Sequence, residues 1–453
     1  MHLEFTRRDY NYFYRGDPGQ NRETKVTTWY EFLKIPERKV KQEYEMVSFR
    51  HPAYILFSSG TSGKPKCIVH SGGGTLIKHA EEHLLQLNMR PKDRMLFFTS
   101  VGWMMWNWLV GGLFTGGSIV LYEGCSLESD VWTIIEKCQV TILGVGAAWL
   151  DVVRKTNLDF SDYNLSRIHT ILSTGSPLFQ ENFEFVYNKL NKNVLLGSIS
   201  GGTDMIGCCV GCSQLLPIQM GQIQCPFLGM DVRCLYSDVE SIDGYFISKT
   251  SSSDRKGELV IAKPFPSIPV SFLNDPNDEL FRNAYFYKSK KFWVHGDYLT
   301  FDEETRGITI FGRSDAVLNP KGVRFGSGEI YTVMSKIEEI EDSLCIGQQF
   351  GASERVILFY SVVERLRGSL NEVVILDIEK RIKQNIRAAL SVKHLPELYF
   401  NVSAIPYTQN NKKVEIPMKK FFNGVPKEKA FENQDTLKNP QVISEYERIF
   451  SRI

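Results

Sequence analysis

Strong net charge, blocks of like charge, internal repeats and low-complexity tracts are all missing from this chain. With 53 Lys and Arg against 52 Asp and Glu the formal net charge is +1. That removes any electrostatic argument for a nucleic-acid or anionic-membrane partner. No apolar leader run opens the sequence, so its nine cysteines (an odd count) are expected to be thiols in a reducing cytosol rather than a disulfide framework. Cys209-Val210-Gly211-Cys212 has redox or zinc spacing, but no second cysteine or histidine pair lies nearby in sequence to complete a ligand set. The Walker A pattern G-x-x-x-x-G-K-[ST] is also absent. Charge is missing altogether between Met95 and Tyr122, a stretch long enough to span a bilayer. Asn107, several glycines, the bracketing Arg94 and Glu123 and the lack of a polybasic flank favour buried strands around a core helix instead.

What is present starts at Ser58-Ser59-Gly60-Thr61-Ser62-Gly63-Lys64-Pro65-Lys66, directly after the apolar run Ala53–Phe57. A buried strand ending in glycines, hydroxyls and lysines can turn N–H groups, O–H groups and ammonium charge toward one polyphosphate. A flexible Gly/Ser surface turn is the competing reading. At 453 residues, with 43% hydrophobic and 23% charged, the chain has the core for two or three structural units.

Strands and helices are expected to alternate from Ala53 to Ser200. After the loop Leu76, Ile77, Ala80, Leu84 and Leu87 fall on one helical face. Strands are expected at 95–98, 118–122, 140–145, 170–173 and 194–199, with helices at 131–138, 149–153 and 179–190. This order predicts an α/β fold with a mostly parallel sheet covered by helices. Three loops, Ser58–Lys66, Thr174–Pro177 and Gly201–Asp204, are expected together at its carboxyl edge, where such sheets bind ligands. Beyond Gly221 prolines and turns predict an antiparallel β subdomain. The tail reads as a separate α+β unit with a helix at 329–336, strands at 355–363 and 398–405, and a helical stripe of Ile378, Ile382, Ile386 and Leu390. The expected division is a poorly matched lead (1–50), a large domain (51–315) and a small C-terminal domain (316–453).

In this order, the Ser/Gly/Lys loop, Ser200-Gly201-Gly202-Thr203-Asp204, Trp293-Val294-His295-Gly296-Asp297, Phe311-Gly312-Arg313-Ser314-Asp315, Gly322-Val323-Arg324-Phe325-Gly326 and Ile405–Lys413 resemble the acyl-adenylate-forming superfamily. The resemblance runs from about His51 to Lys420. It is strongest to the branch that activates acetoacetate. It implies a ligase of lipid and ketone-body metabolism that joins acetoacetate to AMP from ATP, releases diphosphate, and passes the acyl group to CoA. No nucleic acid, membrane or obligate protein partner is implied.

The same resemblance implies a role for each site residue. Ser58, Ser59, Gly60, Thr61, Ser62, Gly63 and Lys66 would hold the outer phosphates. Thr203 would bond a phosphate oxygen and Asp204 would help hold Mg²⁺. Most of the superfamily has Glu at the latter position. Asp297 would accept both ribose hydroxyls. Gly175, Ser176 and Pro177 would lie along the adenine, with Arg313 and Arg324 near ribose or phosphate. Lys412 would reach the α-phosphate and the attacking carboxylate. Here Asn411, not the usual Gly, precedes it, and Lys413 competes for the role. Asp315 would be the hinge of a mobile small domain and Gly322 would line the CoA channel. Trp103, Met104, Met105, Thr174 and Gly201 would line the acyl pocket, Gly201 leaving room where related acetate-specific enzymes carry tryptophan. Trp106 and Trp108 read as core.

Superfamily members carry a substantial region before the phosphate loop, and only a short lead precedes it here. Uncovered sheet edges are the expected consequence. Another short acid, or a nucleotide-binding remnant without turnover, are the competing functions.

Overall fold

The apolar run before the glycine-rich loop forms β1 (Pro52–Ser58), which pairs antiparallel with β2 (Lys66–Ser71). The computed structural model describes residues 44–58, 66–124, 130–156, 158–236, 246–248, 256–273, 275–320, 323–351, 353–409, 412–431 and 437–453. The chain divides into compact units 1–47 and 48–453, and every described strand and helix belongs to the second. The strand expected to be buried is not: Ile55 is 46% and Phe57 66% exposed. It belongs to a small antiparallel sheet, completed by residues 271–272, rather than to the parallel one.

The parallel sheet comprises β3 (Arg94–Phe97), β4 (Ser118–Val120), β5 (Ile142–Gly146), β6 (Thr170–Thr174) and β7 (Leu195–Ser198), in the order β4-β3-β5-β6-β7. Neighbouring side chains alternate between its faces. Met95, Phe97, Ile142 and Leu172 enter one core, while Leu96, Leu143, Val145, Ile171 and Leu196 enter the other. The uncharged stretch 95–122 is thus two strands around the helix Met105–Gly111. Among the described residues no helix is long and apolar enough to cross a membrane.

Directly beyond β7 the chain enters β8 (Ser200–Gly202), which pairs with β9 (Gly207–Gly211) and through it with β10 (Cys225–Pro226). A five-stranded antiparallel sheet comes next, from β11 (Val232–Tyr236), β12 (Phe246–Ser248), β13 (Gly257–Ile261), β15 (Trp293–Phe301) and β16 (Ile308–Arg313), with β14 (Ser271–Phe272) lending itself to the first sheet. The tail forms β17 (Ile340–Phe350), β18 (Ser353–Val362) and β19 (Leu398–Asn401), antiparallel then parallel. Helices Ser327–Met334 and Glu372–Ala389 cover one face through Ile330, Val333, Ile378, Ile382 and Ile386. Helices Glu415–Phe422 and Ile443–Phe450 cover the other through Met418, Phe422 and Tyr446.

One helix departs from its expected face. Gly72–Ala80, capped by the Ser71 hydroxyl, continues as a π-helical turn over Glu81–Gln86. Leu76 and Ile77 point to solvent at 58% and 48% exposure, while Lys78, His79, Glu82 and His83 are buried at 3% or less.

Candidate active site

Of the three loops expected at one sheet edge, Thr174–Pro177 leaves β6 and Gly201–Asp204 lies just past β7, both at carboxyl ends. The third connects β1 and β2, which pair antiparallel in another sheet. Ser59, Gly60, Thr61, Ser62 and Gly63 of that loop, and Gly322, lie outside the described residues. Ser58 and Lys66 frame it at the facing ends of the two strands.

Asp204 sits at the centre of the arrangement, in the short turn Thr203–Met205. The Tyr285 hydroxyl donates to its Oδ1. Tyr285 in turn stacks flat on Trp293, with ring centroids 3.6 Å apart. The Lys66 ammonium lies 5.1 Å from the centroid of the same tyrosine ring. Burial works against the Asp204 charge, yet His295, the Tyr285 hydroxyl, Lys66 and Arg313 together hold its carboxyl below the usual carboxylate range. Burial lowers the Lys66 pKa, partly offset by Asp204. Tyr285 carried no signal in the sequence, because a tyrosine between Ala284 and Phe286 reads as core.

A second cluster is set by strand register. Asp297 on β15 lies directly opposite Arg313 on β16, a cross-strand pair with Nη1 3.4 Å from Oδ1. The same guanidinium donates to the His295 carbonyl at 3.2 Å and stands 3.6 Å from the Asp315 carboxylate. Gly296 has φ of +88°, a left-handed backbone that favours glycine, and the Arg313 guanidinium lies close against it. Arg324 is exposed ahead of the helix Ser327–Met334.

Lys412 and Lys413 are placed differently. Lys413 is taken: its Nζ lies 2.6 Å from Asp342 Oδ1, bonds the Ser343 carbonyl, and sits over the Tyr331 ring. Lys412 forms no ion pair among the described residues, and its backbone is fixed by paired bonds with Thr408. Its side chain is exposed to solvent, with protein closely around it. That surrounding lowers its pKa, as does Arg313, while Asp297 and Asp204 pull the other way. The ammonium therefore stands within electrostatic reach of both carboxylate clusters.

The proposed acyl-pocket residues are less uniform. Met104 and Met105 are buried in the core with Trp108, and Trp103 packs partly exposed against it, edge-on to Phe97. Thr174 is half-buried at the end of β6, beside exposed Gly175 and Ser176 and half-buried Pro177. Gly201 does not open space as expected. A Cβ there would fall 2.0 Å from the Gly207 carbonyl oxygen and 2.4 Å from the Cys208 Cα. Close approach of β8 to β9 demands the glycine, so a tryptophan at 201 would break the strand pair before it could fill a pocket.

Asp204 and Asp297 thus share one electrostatic neighbourhood with the cations of Lys66, Arg313 and Lys412, beside the turn that follows β7. The family described as AMP-binding enzyme matches residues 14–266, and the chain belongs to that family. It is 45% identical over 412 residues to the acetoacetyl-CoA synthetase of Gallus gallus, covering 90% of this chain and 59% of that protein. The acetoacetyl-coenzyme A synthetase of Rhizobium meliloti is 40% identical, with 88% of this chain and 59% of the relative covered. Among solved structures, acetoacetyl-CoA synthetase from Streptomyces lividans superposes with a TM-score of 0.81 at 34% identity, over 92% of this chain and 62% of that one. The anthranilate CoA ligase AuaEII, at 18% identity and TM-score 0.69 over 82% of this chain and 68% of that one, shares the fold. The chain thus spans about three fifths of the length of the curated relatives it matches.

Proposed function

We propose that the chain carries the adenylate-forming machinery of an ATP-dependent acetoacetate–CoA ligase, acting in the cytosol. The observation that carries this reading is the contrast at 412 and 413. One lysine is tied to Asp342, and its neighbour is paired with no carboxylate among the described residues while feeling the charges of Arg313, Asp297 and Asp204.

Carboxylate and α-phosphate are both anionic, so their approach needs fixed cations and dipoles. An acetoacetate oxygen attacks the α-phosphorus and diphosphate leaves; the CoA sulfur then attacks the acyl carbon and AMP leaves. Lys412 offsets the charge that builds in the first step. Lys66 and the hydroxyl of Ser58 neutralise and orient the outer phosphates, with Ser59, Gly60, Thr61, Ser62 and Gly63 between them. Thr203 bonds a phosphate oxygen. Asp297 presents its two oxygens to the ribose hydroxyls, and Arg313 and Arg324 meet ribose or phosphate. Gly175, with φ of +91°, and the following Ser176 and Pro177 give the adenine an edge of backbone to lie along.

Asp204 fits Mg²⁺. The ion takes one or two carboxylates together with substrate phosphates rather than a protein cage. Tyr285 engages Oδ1, and Oδ2 stands over Gly202, where a Cβ would fall 3.1 Å from it. When bound, the ion would supply positive charge to offset that of the phosphates. The acyl group would lie near Trp103, Met104, Met105 and Thr174.

We assign residues 51–315 to a nucleotide-binding domain and 316–453 to a small domain that swings about Asp315, with Gly322 on the CoA path. The separate apolar cores on either side of residue 315 support that division. Incubating the purified chain with ATP, Mg²⁺, CoA and acetoacetate tests the reading: AMP and acetoacetyl-CoA should form together. Diphosphate exchange that is faster with acetate or propionate would replace the acid, and nucleotide binding without thioester would remove the activity.

A further inference from the structure

The helix following β2 buries polar side chains where an apolar face is expected, and they converge on one short turn. His70 Nε2 donates to the Thr203 carbonyl at 2.8 Å. His79 Nε2 donates to the Ile206 carbonyl, also at 2.8 Å. Glu82 Oε1 accepts the Cys208 backbone N–H at 2.8 Å, and its Oε2 accepts Trp108 Nε1–H at 2.7 Å. Lys78, 3.2 Å from Glu82 and 2.9 Å from Glu81, balances the buried carboxylate. A carbonyl only accepts, so both histidines carry the proton on Nε2.

Room has been made for this set. A Cβ at Gly111 would fall 2.4 Å from the His79 ring, and one at Gly207 would fall 2.3 Å from Glu82 Oε1. The π-helical turn Glu81–Gln86 widens the helix where Glu82 and His83 leave it. The segment being held is strained. Ile206 has φ of +49°, a left-handed conformation that a β-branched residue resists, at a cost of about 1–3 kcal/mol. Such a backbone persists only where its surroundings over-determine it. An apolar face would have been at least as stabilising as this polar one. The three bonds to backbone all end on residues 203–208, which include Thr203 and Asp204.

We propose that His70, His79 and Glu82 are positioning residues: from β2 and the helix that follows it they fix the backbone of residues 203–208, so that the Thr203 hydroxyl and the Asp204 carboxylate meet Mg·ATP. This rests on the proposed roles of Thr203 and Asp204 toward phosphate and metal. Adenylate formation depends on the brace, and thioester formation from a finished adenylate does not.

The test uses the full chain with His79→Gln, His79→Leu, His70→Gln and His70→Leu. Glutamine returns an N–H near the place of Nε2, and leucine fills the space without a donor. Three quantities are measured: affinity for Mg·ATP by competition with a fluorescent ATP analogue, ATP–diphosphate exchange with acetoacetate, and thioester formation from supplied acetoacetyl-adenylate and CoA. The leucine variants should lose about 10- to 100-fold in exchange, from leaving a buried carbonyl unpaired. Glutamine should restore most of it, and the thioester step should stay unchanged. Equal losses in both half-reactions, or glutamine no better than leucine, would overturn the proposal. Should His79→Leu fail to fold, the His70 pair decides by the same criteria. If the wild-type chain binds Mg·ATP but activates no acid, the functional reading fails alone. The brace is then judged on nucleotide affinity, and equal affinity in all variants sinks it.

Discussion

Two helices of this molecule cover their sheets in opposite ways. Glu372–Ala389 buries the stripe Ile378, Ile382 and Ile386, each exposed by 1% or less, and its polar residues face water. Gly72–Gln86 turns Leu76 and Ile77 outward and buries Lys78, His79, Glu82 and His83. The first gives its buried face to apolar area, the general source of fold stability. The second gives it to bonds with the backbone of a turn on another sheet. Burying polar groups is costly unless every one is satisfied, so the second pattern marks a segment selected for where it puts something rather than for how tightly it packs.

The largest effect expected comes from the same contrast compressed into adjacent residues. Lys412→Ala should lower ATP–diphosphate exchange about 10²- to 10³-fold, the loss of one donor to developing charge, with little change in unfolding free energy. Lys413→Ala should keep most of the exchange and lose at most about 1 kcal/mol of stability, because its ion pair with Asp342 is partly exposed. Equal exchange rates in the two variants would refute the division of labour between them.

Ile382→Ala asks the complementary question of the packing helix. Removing a wholly buried isoleucine should cost about 2–5 kcal/mol in urea unfolding. The ratio of the two half-reaction rates, measured well below the transition, should not move. A changed ratio would mean that this helix too serves the site.

How far the sequence carried depends on this same difference. Apolar runs announced β3, β5, β6 and β7 to within two residues, and the isoleucine stripe announced its helix, because apolar period and buried face coincide there. On Gly72–Gln86 they do not coincide. His79 and Glu82 reach backbone atoms more than 120 positions away, and local periodicity contains nothing of them. β1 misled for a related reason: its apolar residues predict a strand, but burial is decided by whether a neighbour covers it. The proposed site residues Lys66, Asp204, Asp297, Arg313 and Lys412 stand in motifs that the sequence displays. Gly201 was visible too, but its reason, the backbone of β9, was not. Tyr285 was hidden among aromatics.

Acidity should separate the two helices next. Burial holds the His70 and His79 rings neutral with pKa values near 4, and His83 near 3. Each is depressed below its unfolded value of about 6.5, so the unfolded chain binds protons first. The stability tied to keeping these rings neutral is complete above about pH 6.5. It drains away as pH falls toward 4 for His70 and His79, and toward 3 for His83. From pH 7.5 to 5.0 each of the first two should cost about 2 kcal/mol, and His79→Gln should flatten the slope by that share. Ile382→Ala should shift the whole curve without changing its slope. An unaltered slope in His79→Gln would show that the ring does not titrate as its burial requires.

The smallest effect tests the turn from its other side. Residues 203–208 are gripped from behind by His70, His79 and Glu82, and in front Asp204 accepts the Tyr285 hydroxyl. Tyr285→Phe removes that one donor while its ring remains stacked on Trp293. Packing is kept, so the unfolding free energy should fall by little more than the lost bond. A hydrogen bond to a charged group contributes about 1.5–3 kcal/mol, part of which a bound cation can replace. The expected result is about a tenfold rise in the Mg²⁺ concentration needed for half-maximal nucleotide affinity, with the CoA dependence unchanged. A Mg²⁺ requirement that stays put would mean that Asp204 is oriented by the helix behind it alone, and that the turn has one effective support rather than two.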